Sequence, residues 1–233
     1  MSSVPTPAEP LPAVDRVEPD ARRAIALVVG ISATVAFVIL RVVVALDDQK
    51  PLAMDVWWND LMLGARTDPG LVMAWIPSHV GNTVPMFAIS LATVVILFLR
   101  KRRWDAANVA IAIAIVVAIG APMSYIAARV RPDDSLAESI ATSFPSGHTA
   151  VATTFFVTLA LLLRRWYIWT AGAVWVVWMM WSRTYLSAHW LSDVIAGLLE
   201  GIAVATLVWC AVEAVRDRRA ARRGQSVESS PTG

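Results

Sequence analysis

Six apolar runs, at about 24–46, 80–99, 106–128, 147–163, 168–182 and 190–214, take up most of this 233-residue chain. Crossing a hydrocarbon layer of about 30 Å takes roughly 20 helical residues, a length these runs meet or approach. An open sheet leaves backbone groups unsatisfied in lipid, so the runs read as helices. The hydrophobic share of 57% is too high, and too clustered, for an ordinary soluble domain. The expected fold is therefore all-α, a polytopic membrane bundle of about six transmembrane helices filling residues 22–215. Residues 1–21 are rich in proline and polar side chains. Residues 216–233 begin with a basic run and end in Gly, Ser and Pro. Both read as disordered cytoplasmic tails. The first run follows Arg22 and Arg23 and carries Val43-Val44-Ala45, which would suit a signal-peptide cleavage site. Its apolar core is much longer than the roughly 7–15 residues of such signals, so it is expected to remain as a helix.

Charge placement gives the orientation; the net charge of +2 does not. Arg22-Arg23 precede the first run. Arg100 to Arg103 separate the second and third, Arg164-Arg165 the fourth and fifth, and Arg216 to Arg223 follow the sixth. With six spans these four clusters share one side, the cytoplasm by the positive-inside tendency. The opposite segment, 47–79, holds Asp47, Asp48, Asp55, Asp60 and Asp68 against Lys50 and Arg66. Its Trp57, Trp58 and Trp75 suggest a segment lying on the outer interface, as Trp104, Trp166 and Trp169 suggest the inner one. The basic residues flank apolar spans and line no aromatic groove, so no nucleic-acid partner is expected. Cys210 is a lone thiol and reads as a small buried apolar residue.

Three polar islands lie at the outer ends of the third to sixth runs: Arg129-Val130-Arg131-Pro132, Ser143 to His148, and Ser182-Arg183 through His189 to Asp193. Pro145-Ser146-Gly147-His148 stands at a helix start, where free N–H groups and the dipole suit an anion. Ser146 supplies a hydroxyl, Gly147 permits close approach, and His148 occupies the first turn beside the anion. His189 and Asp193 are four residues apart and share a helix face. A carboxylate so placed can fix the imidazole tautomer and leave the other nitrogen as a nucleophile or base. Arg131 and Arg183 supply permanent charge in forks suited to phosphate oxygens. Phosphoryl transfer needs mainly such positioning and charge stabilisation.

Arg131-Pro132, Pro145-Ser146-Gly147-His148 and Ser182-Arg183-x5-His189-x3-Asp193 together resemble the type 2 phosphatidic acid phosphatase (PAP2) superfamily of lipid phosphate phosphatases. The resemblance implies a metal-independent, cofactor-free hydrolase acting on a lipid phosphate at the extracytoplasmic face. His189 is then the nucleophile forming a phosphohistidine, Asp193 its orienting partner, and His148 the acid for the leaving oxygen. Arg131, Ser146, Gly147 and Arg183 are the implied phosphate ligands. The family's first motif has lysine seven residues before its Arg-Pro arginine. Here that position is Ser124, two helical turns away on the Arg131 face, offering a hydroxyl and no charge.

The family analogy leans toward a polyprenyl phosphate or diphosphate, with phosphatidate and phosphatidylglycerophosphate as the other substrate classes. Two rival readings use the same residues. In one, an acceptor alcohol replaces water and the protein is a phosphotransferase. In the other, the loss of lysine at Ser124 marks a lipid-binding relative with weak or no turnover. A metal site built from His148, His189 and Asp193 is a weaker rival. Arg129 reads as an interfacial residue, Arg41 as a snorkelling one, and His79 as a structural or solvated loop histidine. Oligomeric state is not legible.

Overall fold

The computed structural model describes residues 19–137 and 142–228; of the tail expected over 1–21, residues 1–18 lie outside them, and 19–21 already belong to a helix. Eight helices follow in order: α1 (Pro19–Leu46), α2 (Ala53–Gly64), α3 (Asp68–Val80), α4 (Thr83–Leu99), α5 (Arg103–Ala127), α6 (Gly147–Leu163), α7 (Trp166–Tyr185) and α8 (Leu191–Glu228). Among the described residues there is no strand, only an isolated bridge between Val130 and Thr142. The all-α expectation holds. The six apolar runs correspond to α1 and α4–α8, and the acidic outer segment folds into α2 and α3.

Among the described residues, three stretches are individually long and apolar enough to span a bilayer: Ala21–Leu46, Arg103–Ala127 and Leu191–Arg223. The pair α3–α4, bent by 50°, makes a fourth if counted as one span. α6 is apolar but has only 17 residues, at the lower end of spanning lengths. Its inward face is also hydroxylic, with buried Thr149, Thr153, Thr154 and Thr158. α7 ends in Ser182, Arg183 and Thr184, all buried, and these polar residues lower its apolar character. Two of the four helices that meet at the polar islands, α6 and α7, thus depart from plain membrane spans.

The C-terminal tail differs from expectation. α8 runs for 38 residues and stays helical well past residue 216. The stretch 211–223 is built largely from Ala, Arg, Glu and Val and has no proline or glycine to stop the helix. On the N-terminal side α1 begins at Pro19, a residue type well suited to a first helical turn.

α8 is the axis of the bundle and packs against α1, α5 and α6. Its contact with α6 is made close by Gly197 and Gly201, one turn apart. A Cβ on Gly197 would stand 2.5 Å from the Ser146 carbonyl oxygen. One on Gly201 would stand 2.5 Å from Thr153 Cβ and 2.7 Å from the Ala150 oxygen. This is the small-xxx-small arrangement by which helices in lipid approach backbone to backbone. Gly201→Ala is therefore expected to cost about 1–3 kcal/mol through overpacking. Thermal unfolding of the purified protein in detergent measures it, and an unchanged midpoint would show that the contact is slack.

Candidate active site

The polar islands converge at one end of the bundle because α5 and α7 end there and α6 and α8 begin there. α5 stops at Ala127, with Ala128 in the left-handed conformation, and the chain turns inward. Val130 pairs with Thr142, and Ser143 N–H donates to the Arg129 carbonyl at 2.8 Å. The Ser146 N–H donates to the Asp193 carbonyl at 3.0 Å, joining the start of α6 to the first turn of α8. Gly197 and Gly201 allow that closeness.

His189 lies in the α7–α8 turn and is 4% exposed. Its Nδ1–H donates to the Ser143 carbonyl at 2.8 Å, because a carbonyl can only accept. The neutral tautomer thus leaves a lone pair on Nε2, which faces Arg131 Nη1 at 3.2 Å. Arg131 Nη1 also donates to the Ala188 carbonyl. Burial first, then the charges of Arg131 and Arg183, hold His189 well below the ordinary histidine range, against an upward pull from the Ser143 carbonyl. The ring is oriented through Nδ1, and its Nε2 lone pair accepts a hydrogen bond from Arg131 Nη1, which an anion drawing on that arginine would compete for.

Asp193 does not orient His189 as the four-residue spacing suggests. Its Oδ2 stands 3.8 Å from Nδ1, too far for a hydrogen bond, and the Ser143 carbonyl takes that role. Asp193 instead accepts from the Trp190 N–H at 2.9 Å and from Arg129 Nη1 at 2.6 Å. It caps the start of α8 and pairs with a buried cation.

Arg129 also departs from its expected placement. It is fully buried, not interfacial, and it does not replace the missing lysine. Nη1 donates to Asp193 and to Ser192 Oγ at 2.7 Å; Nη2 donates to Asp55 Oδ2 at 2.7 Å and the Lys50 carbonyl at 3.0 Å. Asp55, also fully buried, comes from the first turn of α2 and further accepts from the Ser192 N–H at 2.7 Å. Sequence reasoning missed Asp55, one of five aspartates in an acidic segment. A signal did exist: it is the aspartate at the third position of α2, a helix-capping position, and it accepts from the Leu52 N–H at 2.9 Å.

Arg183 is fully buried, and its Nη1 donates to Ser78 Oγ of α3 at 2.7 Å. His148, in the first turn of α6, is within electrostatic reach of Arg183, His189 and Arg131. Gly147 is exposed, with nothing within 4 Å of where its Cβ would be, so its backbone is open to a ligand. Ser146 is fully buried and its Oγ accepts from Thr149 Oγ1 at 3.1 Å, which sets it behind Gly147. Ser124 is half-buried and its hydroxyl bonds that of Thr142 at 2.8 Å. It brings no charge to the site. His79 is held by the Trp75 carbonyl at 2.8 Å within α3. Among the described residues no group of three His, Cys, Asp or Glu is arranged to hold a metal ion.

The family model described as the PAP2 superfamily matches residues 127–217. Over 143 residues the chain is 32% identical to "Putative undecaprenyl-diphosphatase YbjG" of Escherichia coli, covering 56% of this chain and 69% of that protein. It is 34% identical over 116 residues to an undecaprenyl-diphosphatase of Sulfolobus acidocaldarius, covering 47% of this chain and 56% of that one. A lipid A 1-phosphatase of Rhizobium etli is 42% identical over 59 residues, a quarter of each chain. The matches thus span from a quarter to about two thirds of these relatives' lengths. Among solved structures, a phosphatidylglycerolphosphate phosphatase from Bacillus subtilis superposes with a TM-score of 0.68 at 18% identity, over 88% of this chain and 98% of that one. That likeness concerns the fold.

Proposed function

Because this chain belongs to the PAP2 superfamily, we propose that it is an integral membrane phosphatase that hydrolyses a lipid phosphate or diphosphate through a phosphohistidine on His189. The observation that carries this reading is the state of His189: Nδ1–H committed to Ser143, Nε2 facing Arg131 at 3.2 Å. Arg131 and Arg183 bind the nonbridging oxygens with the Gly147 backbone, and Nε2 attacks phosphorus as the P–O bond to the leaving group breaks. His148 delivers a proton to the departing oxygen and then takes one from the water that cleaves the P–N bond. Asp193 acts as a positioning residue through Trp190 and Arg129.

The substrate class we favour is a polyprenyl diphosphate or monophosphate, in keeping with the relatives named as undecaprenyl-diphosphatases. The chain crosses the membrane six times, through α1 and α4–α8, with both termini cytoplasmic. The basic clusters lie at the helix ends opposite His189, which supports an extracytoplasmic site by the positive-inside tendency.

A substrate panel of polyprenyl diphosphate, phosphatidate and phosphatidylglycerophosphate, read as phosphate release with and without chelator, tests the proposal. Trapping of labelled phosphohistidine by rapid quenching at alkaline pH tests the intermediate. Turnover without phosphate release when an acceptor alcohol is added would instead identify a phosphotransferase. No turnover on any lipid would identify a binding relative. That second reading draws on one observation: Ser124 is uncharged, and Arg129 is engaged by Asp55 and Asp193 instead of the site.

The environment of His189 sets the expected pH dependence. Its protonation is suppressed well below the ordinary value of about 6.5. The nucleophile therefore stays neutral as pH falls, and kcat/KM should show no loss from its protonation between about pH 8 and 6.5. Arg131→Gln removes a cation that disfavours the imidazolium. The acid limb then moves to higher pH, toward about 6.5, besides any fall in rate. A pH–rate profile of both proteins checks this, and an unmoved limb in the variant would detach Arg131 from His189.

A further inference from the structure

The end of the bundle remote from His189 contains a second concave site. A cavity of about 480 Å³ opens between the start of α1, the α4–α5 turn, the end of α6 and the later turns of α8. Seven basic and two acidic side chains line it. The two acids are already matched, Asp105 by Arg102 and Glu213 by Arg216, and Arg23 pairs with Asp217. Among the described residues Arg22, Lys101, Arg103 and Arg164 form no ion pair. Arg22 and Arg164 are close enough for their charges to act on each other. Like charges brought together at one mouth repel, and an anion between them relieves that repulsion.

The chemistry of the lining narrows the anion. Arginine forks favour a group with several oxygens, a phosphate above all. Leu161, Leu162 and the buried Trp209 also line the cavity and pack together, giving it an apolar floor. A free inorganic anion has no use for such a floor, whereas the glycerol and first acyl carbons of a phospholipid do. Cations that served only to set topology would face outward around the bundle. These come from four separate chain segments and converge on a single recess.

We propose that this cavity binds the headgroup phosphodiester of an anionic phospholipid, with Arg22 and Arg164 holding the phosphate and the Leu161–Leu162–Trp209 floor receiving the glycerol. Basic recesses between membrane helices are suited to anionic headgroups, each nearby cation strengthening the attraction. A phosphodiester differs from the phosphomonoester or diphosphate proposed for the His189 site, and the two sites lie at opposite ends of the bundle.

Native mass spectrometry of the full-length protein in detergent, titrated with phosphatidylglycerol or phosphatidylcholine, tests this. Preferential retention of one phosphatidylglycerol is expected. Arg22→Gln combined with Arg164→Gln should weaken that retention about tenfold to thirtyfold and leave phosphatidylcholine adducts unchanged. Phosphate release at the His189 site should be the same in both proteins. Binding is read without turnover, so a failed phosphatase assay does not touch this result. Should the double variant fail to fold, Lys101→Gln, a single change on the rim, is expected to weaken retention about fivefold. Equal retention of the two lipids by the wild type, or unchanged retention in a folded variant, overturns the proposal. Displacement of phosphatidylglycerol by millimolar inorganic phosphate also overturns it, by identifying a free-phosphate site.

Discussion

Glutamine in place of His189 is expected to lower phosphate release from a lipid phosphate by roughly 10⁴-fold or more, with binding of the lipid retained. The glutamine amide can still donate to the Ser143 carbonyl, which His189 Nδ1 now reaches at 2.8 Å, so the turn keeps its anchor. What disappears is the lone pair at Nε2 beside Arg131. Nothing else in the site offers a nucleophilic nitrogen at that point. Without it the two-step route is closed, and only charge stabilisation by Arg131 and Arg183 remains. Quench-flow with labelled substrate would give no phosphohistidine. His148→Gln should act differently, costing about 10²–10⁴-fold with a poor leaving group and much less with an acidic one. A His189→Gln protein that keeps more than about 1% of wild-type turnover would remove the nucleophile from the mechanism.

The second large effect is on the fold itself. Arg129→Gln is expected to destabilise the protein by about 3–5 kcal/mol, because it leaves the carboxylates of Asp55 and Asp193 without their buried cation. All three side chains are fully buried, so water cannot replace the lost charge. The consequences reach the site through the backbone. Asp193 caps α8 at Trp190, and Ser192 is held by both Asp55 and Arg129. Loosening these bonds releases the turn that carries His189. Phosphate release should therefore fall at least tenfold even in the folded fraction. Arg129→Lys should recover charge but little else, since one ammonium cannot reproduce the spread of contacts to Asp55, Asp193, Ser192 and the Lys50 carbonyl. Thermal unfolding in detergent with parallel rate measurement checks both parts. An Arg129→Gln protein with a wild-type midpoint and rate would show that the network supports nothing.

Both predictions concern residues that a linear reading treats very unequally. His189 announces itself: histidine, then aspartate four residues on, at the mouth of an apolar run. Arg129 does not, because an arginine at the end of an apolar helix is ordinarily a snorkelling residue. The same holds for Ser78 and Asp55, which sit in a segment whose tryptophans and aspartates suggest an interfacial covering. In the fold that covering is structural to the site, with α2 delivering Asp55 to Arg129 and α3 delivering Ser78 to Arg183. The four-residue spacing of Gly197 and Gly201 carried no meaning in the sequence, because its effect depends on the backbone that lies against it.

The apolar runs, their helical state, the gathering of the basic clusters at one end of the bundle and the identity of the three polar islands were all written in local order along the chain. Hydrophobic transfer and backbone hydrogen bonding act residue by residue, and a run of twenty apolar residues has few ways to satisfy both. Tertiary structure alone decided which partner each buried charge takes. Spacing along a helix sets the face on which a carboxylate stands, but a buried ion pairs with whatever complementary group packing brings within reach. Here that gave Asp193 to Arg129, which is 64 residues away in sequence, and gave the Nδ1–H of His189 to a carbonyl 46 residues away.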